Sequence, residues 1–121
     1  MTLYEQLGGE PAIVAALDHF YARVLKDPEL APFFDGIDVK AMNEKQKVFL
    51  AMAFGGPQAY DGPGLNAVHA SARAKGLDDR LFDKFLGHFK ATLIDLGVAE
   101  PQVSEVMAIA ESGRGDVLAR F

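Results

Sequence analysis

Apolar residues recur along this chain at intervals of three and four, and no stretch alternates cleanly between apolar and polar positions. That period puts one face of each successive helix against a core and predicts an all-α protein. Thr2 to Leu7 reads as a short first helix stopped by Gly8-Gly9, and Pro11 suits the first turn of a long second helix that runs to about Lys26. Leu17, Phe20, Tyr21, Val24 and Leu25 mark its inward face. Pro28 and Pro32 then punctuate a tight turn carrying Phe33-Phe34. Asp38 can cap a third helix through about Phe54, ended by Gly55-Gly56-Pro57, with Met42, Gln46, Phe49, Leu50 and Ala53 inward. The glycine- and proline-rich segment 55–64 reads as an extended loop. A short helix follows, whose stripe is Leu65, Val68, His69 and Ala72. Asp78 or Asp79 opens a strongly amphipathic helix with Leu81, Phe82, Phe85, Phe89, Leu93 and Leu96 inward, closed by Gly97. Pro101 starts the last long helix, with Val103, Val106, Met107, Ile109 and Ala110 inward. Gly113 ends it, and Asp116 to Phe121 is expected to add a further turn.

Three polar residues, Tyr21, Gln46 and His69, interrupt these apolar stripes, each from a different helix. A hydroxyl or amide buried without a partner costs about 1–3 kcal/mol, so inward-pointing members of this set should converge on one another or on a ligand. Each also has an ordinary explanation. A helix-face tyrosine buries its ring and leaves its hydroxyl at the rim, and a lone inward histidine is commonly a core residue satisfied by its neighbours. Gln46 is less easily dismissed, because it sits between Met42 and Phe49-Leu50 where the period asks for an aliphatic side chain. Lys45 beside it can extend to solvent.

At 121 residues the chain is expected to be a single domain, 1–121, long enough for a modest core. Its net charge of −5, with basic residues spread among acidic ones, argues against nucleic acid as a partner. No apolar run approaches the ~20 residues of a membrane span, and MTLYEQLGGE has no secretory-signal pattern, so no membrane partner and a cytoplasmic location are expected. The absence of cysteine excludes disulfides, thiolate metal sites and cysteine nucleophiles. Three histidines remain: His19 lies off its helix stripe, and His88 adjoins Phe85 and Phe89 and is the rival to His69. Their spacing matches no zinc or di-iron cage. A haem needs no such cluster, because the porphyrin supplies four nitrogens and the protein a single imidazole.

Several ordered motifs carry a specific resemblance: LYEQLGG at 3–9, FYARVL at 20–25, FFDGID at 33–38, QKVFLAMAFGG at 46–56, VH at 68–69 and RGDVL at 114–118. With two double-glycine turns and a histidine 23 residues after Gln46, the chain resembles a group I truncated haemoglobin over essentially its whole length. The resemblance implies a two-over-two helical sandwich around a b-type haem, with His69 as the proximal iron ligand and His88 a bystander. It also implies Tyr21 and Gln46 as the distal donors, with Phe34, Met42, Lys45, Phe49 and Leu65 among the haem contacts. A phenol and an amide preorganised in a dry pocket favour dioxygen, whose outer atom draws negative charge, over carbon monoxide.

Met42 stands where many relatives place a polar distal residue, and Leu50 replaces an aromatic thought to gate a ligand tunnel in some of them. Lys45 matches a position that pairs with a haem propionate or approaches the iron. No histidine lies near 112–116, where some cyanobacterial relatives attach haem covalently, so the cofactor is expected to be non-covalent. The implied partners are dioxygen, nitric oxide and carbon monoxide, with an unidentified reductase, in a monomer or weak dimer. Oxidation of nitric oxide to nitrate is the leading activity. An oxygen or redox sensor or store without turnover, and a globin-like interaction module that has lost haem, are the alternatives.

Overall fold

The computed structural model describes residues 2–56 and 69–118, and every regular element among them is helical. These are α1 (Leu3–Leu7), α2 (Glu10–Val24), a 3-10 helix (Ala31–Phe34), α3 (Val39–Ala53), α4 (Ala70–Ala74), α5 (Asp79–Asp95), α6 (Glu100–Ser112) and α7 (Arg114–Val117). Leu65 and Val68 lie outside the described residues, as do 119–121.

The helix starts follow from local chemistry. Thr2 makes a capping box: its hydroxyl accepts from the Glu5 amide at 3.2 Å, and the Glu5 carboxylate accepts from the Thr2 amide at 3.3 Å. Asp38 accepts from the Ala41 amide at 3.1 Å and Asp78 from the Leu81 amide at 3.0 Å, fixing the first turns of α3 and α5. Pro11 and Pro101 occupy first turns, where a missing amide hydrogen costs nothing.

The pairs α2/α3 and α5/α6 form two layers, joined where α2 packs across onto α5. One apolar cluster gathers Leu3, Tyr4, Ile13, Leu17, Tyr21, Ala51, Phe54, Leu93, Val103 and Val106. A second gathers Val24, Leu30, Phe33, Leu77, Phe82 and Val117 around the turn after α2. Phe20 and Phe34 pack against both.

Three details differ from the periodicity. α2 ends at Val24, so Leu25 falls at its C-cap and is 44% exposed, and Leu96 at the C-cap of α5 is 43% exposed. The expected buried stripe of α3, including Met42, Gln46, Phe49 and Leu50, is only half-buried, and the fully buried residue of that helix is Ala51. His69 occupies the turn immediately before α4 rather than the helix itself.

The second double glycine closes α3 onto α1. Gly55 takes φ 85°, and the Gly56 amide donates to the Ala51 carbonyl at 2.7 Å while the Tyr4 amide donates to the Phe54 carbonyl at 2.8 Å. A β-carbon on Gly56 would lie 2.8 Å from the Ala51 carbonyl oxygen and 2.9 Å from the Tyr4 ring. Gly56→Ala is therefore expected to cost about 1–3 kcal/mol of stability through overpacking. Gly87→Ala, in an open position inside α5, should instead gain about 0.5–1 kcal/mol. Denaturant midpoints of the two variants check both signs.

Candidate functional site

Tyr21 lies in the last turn of α2 where the two layers meet, and is only 5% exposed. Its ring is edge-on to Phe20, at 5.2 Å between centroids, and to Phe34, at 5.6 Å. The aromatic wall continues from Phe34 to Phe85 at 6.1 Å and from Phe20 to Phe89 at 5.4 Å. Burial pushes the Tyr21 phenol well above the usual tyrosine range, so it stays protonated and can donate. Among the described residues its hydroxyl has no hydrogen-bond partner.

α3 contributes Met42, Gln46 and Phe49, spaced to share one face, each half-buried. The Gln46 amide likewise has no partner among the described residues. Lys45, at the edge of that face, is exposed and makes no ion pair among the described residues, whereas Lys47 pairs with Glu44 at 3.2 Å and Glu10 at 3.3 Å. His69 is half-buried, and its carbonyl accepts from the Arg73 amide at 3.0 Å. Leu65 lies outside the described residues.

The other two histidines are engaged elsewhere. His88 Nε2 is 2.9 Å from Asp27 Oδ2, and His19 Nε2 is 3.1 Å from Asp95 Oδ2, which also accepts from Arg23 at 3.1 Å. Asp27 was not evident as a key residue in the sequence, because its partners lie 57 and 61 positions away. Its carboxylate also accepts from the Glu29 amide at 2.9 Å and from Lys84 at 3.1 Å. Lys84 reaches Glu29 at 2.7 Å, and Arg80 reaches Glu29 at 2.8 Å. The legible signal was the spacing of Arg80, Lys84 and His88 along one face of α5. All of these paired groups except Arg80 line a cleft of about 690 Å³ on the α2/α5 edge.

A flat apolar group with one imidazole ligand and two neutral donors suits what the chain presents. Half-buried aromatics and Met42 offer apolar walls, His69 a partly buried imidazole, and Tyr21 a buried phenol lacking a partner.

Comparison with known proteins decides the family. The bacterial-like globin model matches residues 2–118. The chain belongs to the bacterial-like globins, among the group 1 truncated haemoglobins. It is 41% identical to group 1 truncated hemoglobin GlbN of Synechocystis sp. over 110 residues, covering 90% of this chain and 89% of that one. Identity to the Tetrahymena pyriformis group 1 protein is 35% over 119 residues, covering 98% and 96%. The 2/2 hemoglobin of Synechococcus sp., whose crystal structure carries covalently attached heme, superposes with TM-score 0.94 at 35% identity, covering 99% of this chain and all (100%) of that one. As a globin the chain is a haem protein that binds diatomic gases such as oxygen, and its haem b is held non-covalently. No helix among the described residues is long and apolar enough to cross a membrane.

The Asp27 pairs make this globin's stability acid-sensitive. His88, the nearby Glu29 amide and Lys84 hold the Asp27 carboxyl well below its usual range against the opposing effect of burial. A depressed carboxylate stabilises the fold fully above its unfolded pKa, about 3.9, and that contribution is lost as pH falls through the lower folded value. Asp27→Asn should lower the melting temperature at neutral pH. The gap to the wild type should persist down to about pH 4 and narrow below it, as scanning calorimetry across pH would show.

Proposed function

We propose that this globin holds dioxygen through Tyr21 and Gln46 long enough for nitric oxide to react with it. In this reading His69 is the iron ligand, Phe34, Met42, Phe49 and Leu65 wall the haem, and Lys45 pairs with a propionate. The observation that carries the reading is the mostly buried Tyr21 ring, held edge-on by Phe20 and Phe34, whose protonated hydroxyl makes no hydrogen bond among the described residues. Such a donor rewards a ligand whose outer atom is negatively charged, and it needs no reorganisation when that ligand arrives.

Haem, when bound, supplies the iron centre at which the gas binds and the electron it draws on. The chain's own residues do the rest. Tyr21 donates from α2 and Gln46 from α3, so the two donors come from separate helices of one layer. Phe20 and Phe34, edge-on to Tyr21, hold its ring and exclude water around it. Keeping water out strengthens both hydrogen bonds. Lys45 keeps its charge against a propionate, whereas approach to the iron would require the neutral amine. The overall conversion joins nitric oxide, dioxygen and one electron into one nitrate, and the electron comes from a separate reductase.

A hydrogen bond to a charged acceptor is worth about 1.5–3 kcal/mol, so Tyr21→Phe should speed dioxygen release roughly ten- to a hundred-fold. Carbon monoxide release should change less, and the Tyr21→Phe, Gln46→Leu pair should be non-additive because both donors share one acceptor. Stopped-flow and flash-photolysis rates for the four proteins test this. Equal effects on both gases would mean the side chains act by bulk, and no effect would mean they do not face the ligand.

Lys45 gives an independent check. Lys45→Ala should leave the spectrum of the ligand-free protein unchanged between pH 7 and 10. A low-spin form that grows in with pH and is lost in Lys45→Ala would place the amine at the iron instead.

A further inference from the structure

α4 has five residues, too few to hold a helix by its own hydrogen bonds, yet it directly follows His69. Two cations reach from this short segment to backbone carbonyls at the ends of other helices. The Arg73 guanidinium donates to the Val117 carbonyl at the end of α7, at 2.9 Å. The Lys75 ammonium, just beyond α4, lies 3.4 Å from each of the Pro32, Phe33 and Asp35 carbonyl oxygens. An ammonium has three N–H donors to share among these carbonyls, of which that of Pro32 also accepts from the Asp35 amide at 3.2 Å. The positive charge also suits the negative end of that turn. Leu77 adds an apolar anchor in the second cluster, beside Phe33.

Lys75 therefore bridges two walls. One is the 3-10 helix carrying Phe34, whose ring packs edge-on against Tyr21 and Phe85. The other is α4, whose Arg73 amide is bonded to the His69 carbonyl. We propose that Lys75 is a positioning residue for His69: by spanning three carbonyls of the 31–35 turn it sets where α4, and with it the imidazole, stands relative to the Phe34–Tyr21 wall. The inference rests on the reading of His69 as the iron ligand.

The test uses the haem-loaded protein and Lys75→Met, which keeps most of the aliphatic stem and removes the donors. The Arg73 amide, bonded to the His69 carbonyl, should exchange its hydrogen roughly 2- to 12-fold faster, the range expected for losing one net hydrogen bond. The Val106 amide in the fully buried face of α6 should be unaffected. The iron–histidine stretching band of the ferrous, ligand-free protein should shift or broaden. Equal acceleration at Arg73 and Val106 overturns the proposal, because the loss would be general. An unchanged Arg73 amide overturns it whatever the band does, and faster exchange with an unmoved band overturns it too, since Lys75 would then hold α4 without setting His69. His69→Ala separates the underlying reading: a band that survives there overturns that reading and the strut with it. A band lost in His69→Ala but unmoved in Lys75→Met overturns the strut alone.

Discussion

A tyrosine ring locked among aromatic neighbours, with a hydroxyl that makes no hydrogen bond among the described residues, is the constraint on which the site depends. Burying the ring itself supplies the apolar contact that fixes the hydroxyl's position. Tyr21 sits on the helix that joins the two layers, with Phe20 and Phe34 edge-on to its ring and Leu17 and Val24 buried one turn to either side. Rotating or sliding α2 to move the hydroxyl would unseat all of these at once. The fold thus holds a donor in a fixed place on a mostly buried ring.

Polar and apolar forces are segregated around α2. On its outer edge, ion pairs through Asp27, Glu29 and Asp95 tie it and the following turn to α5. Inside, the contacts are almost wholly aromatic and aliphatic. This arrangement engages His19 and His88 with carboxylates on the outer edge and leaves His69 on a different segment. At the far end, Arg114 ties α7 to Asp79, Asp83 and Glu111 while stacking 4.8 Å over Phe82, so the last short helix is held to α5 and α6.

Much of this was legible in the sequence because it is local. The caps at Asp38 and Asp78, the prolines at 11 and 101 and the double glycines act within four residues of themselves, and so they place helix ends well, whereas Thr2, read as helical, is the cap of α1. Leu25 and Leu96 were misread because an apolar period continues past the last helical turn, where the chain has already turned toward solvent. The α3 stripe reads as core by period alone, but Met42, Gln46 and Phe49 are only half-buried, with Met42 and Leu50 packing against the edge of the first cluster. The partners of the Asp27 network and of the Lys75 strut were not legible for a different reason. They join residues 40 to 61 positions apart, and no local pattern encodes a partner at that separation.

The central claim is that the buried phenol retains dioxygen until nitric oxide reaches it. The most direct test mixes the oxygenated protein with nitric oxide over a range of concentrations and follows both the spectral change and the nitrate formed. The account predicts a rate proportional to nitric oxide, exceeding the rate of dioxygen release, with one nitrate per protein. A rate that levels off at the dioxygen release rate, with no nitrate formed, would contradict it.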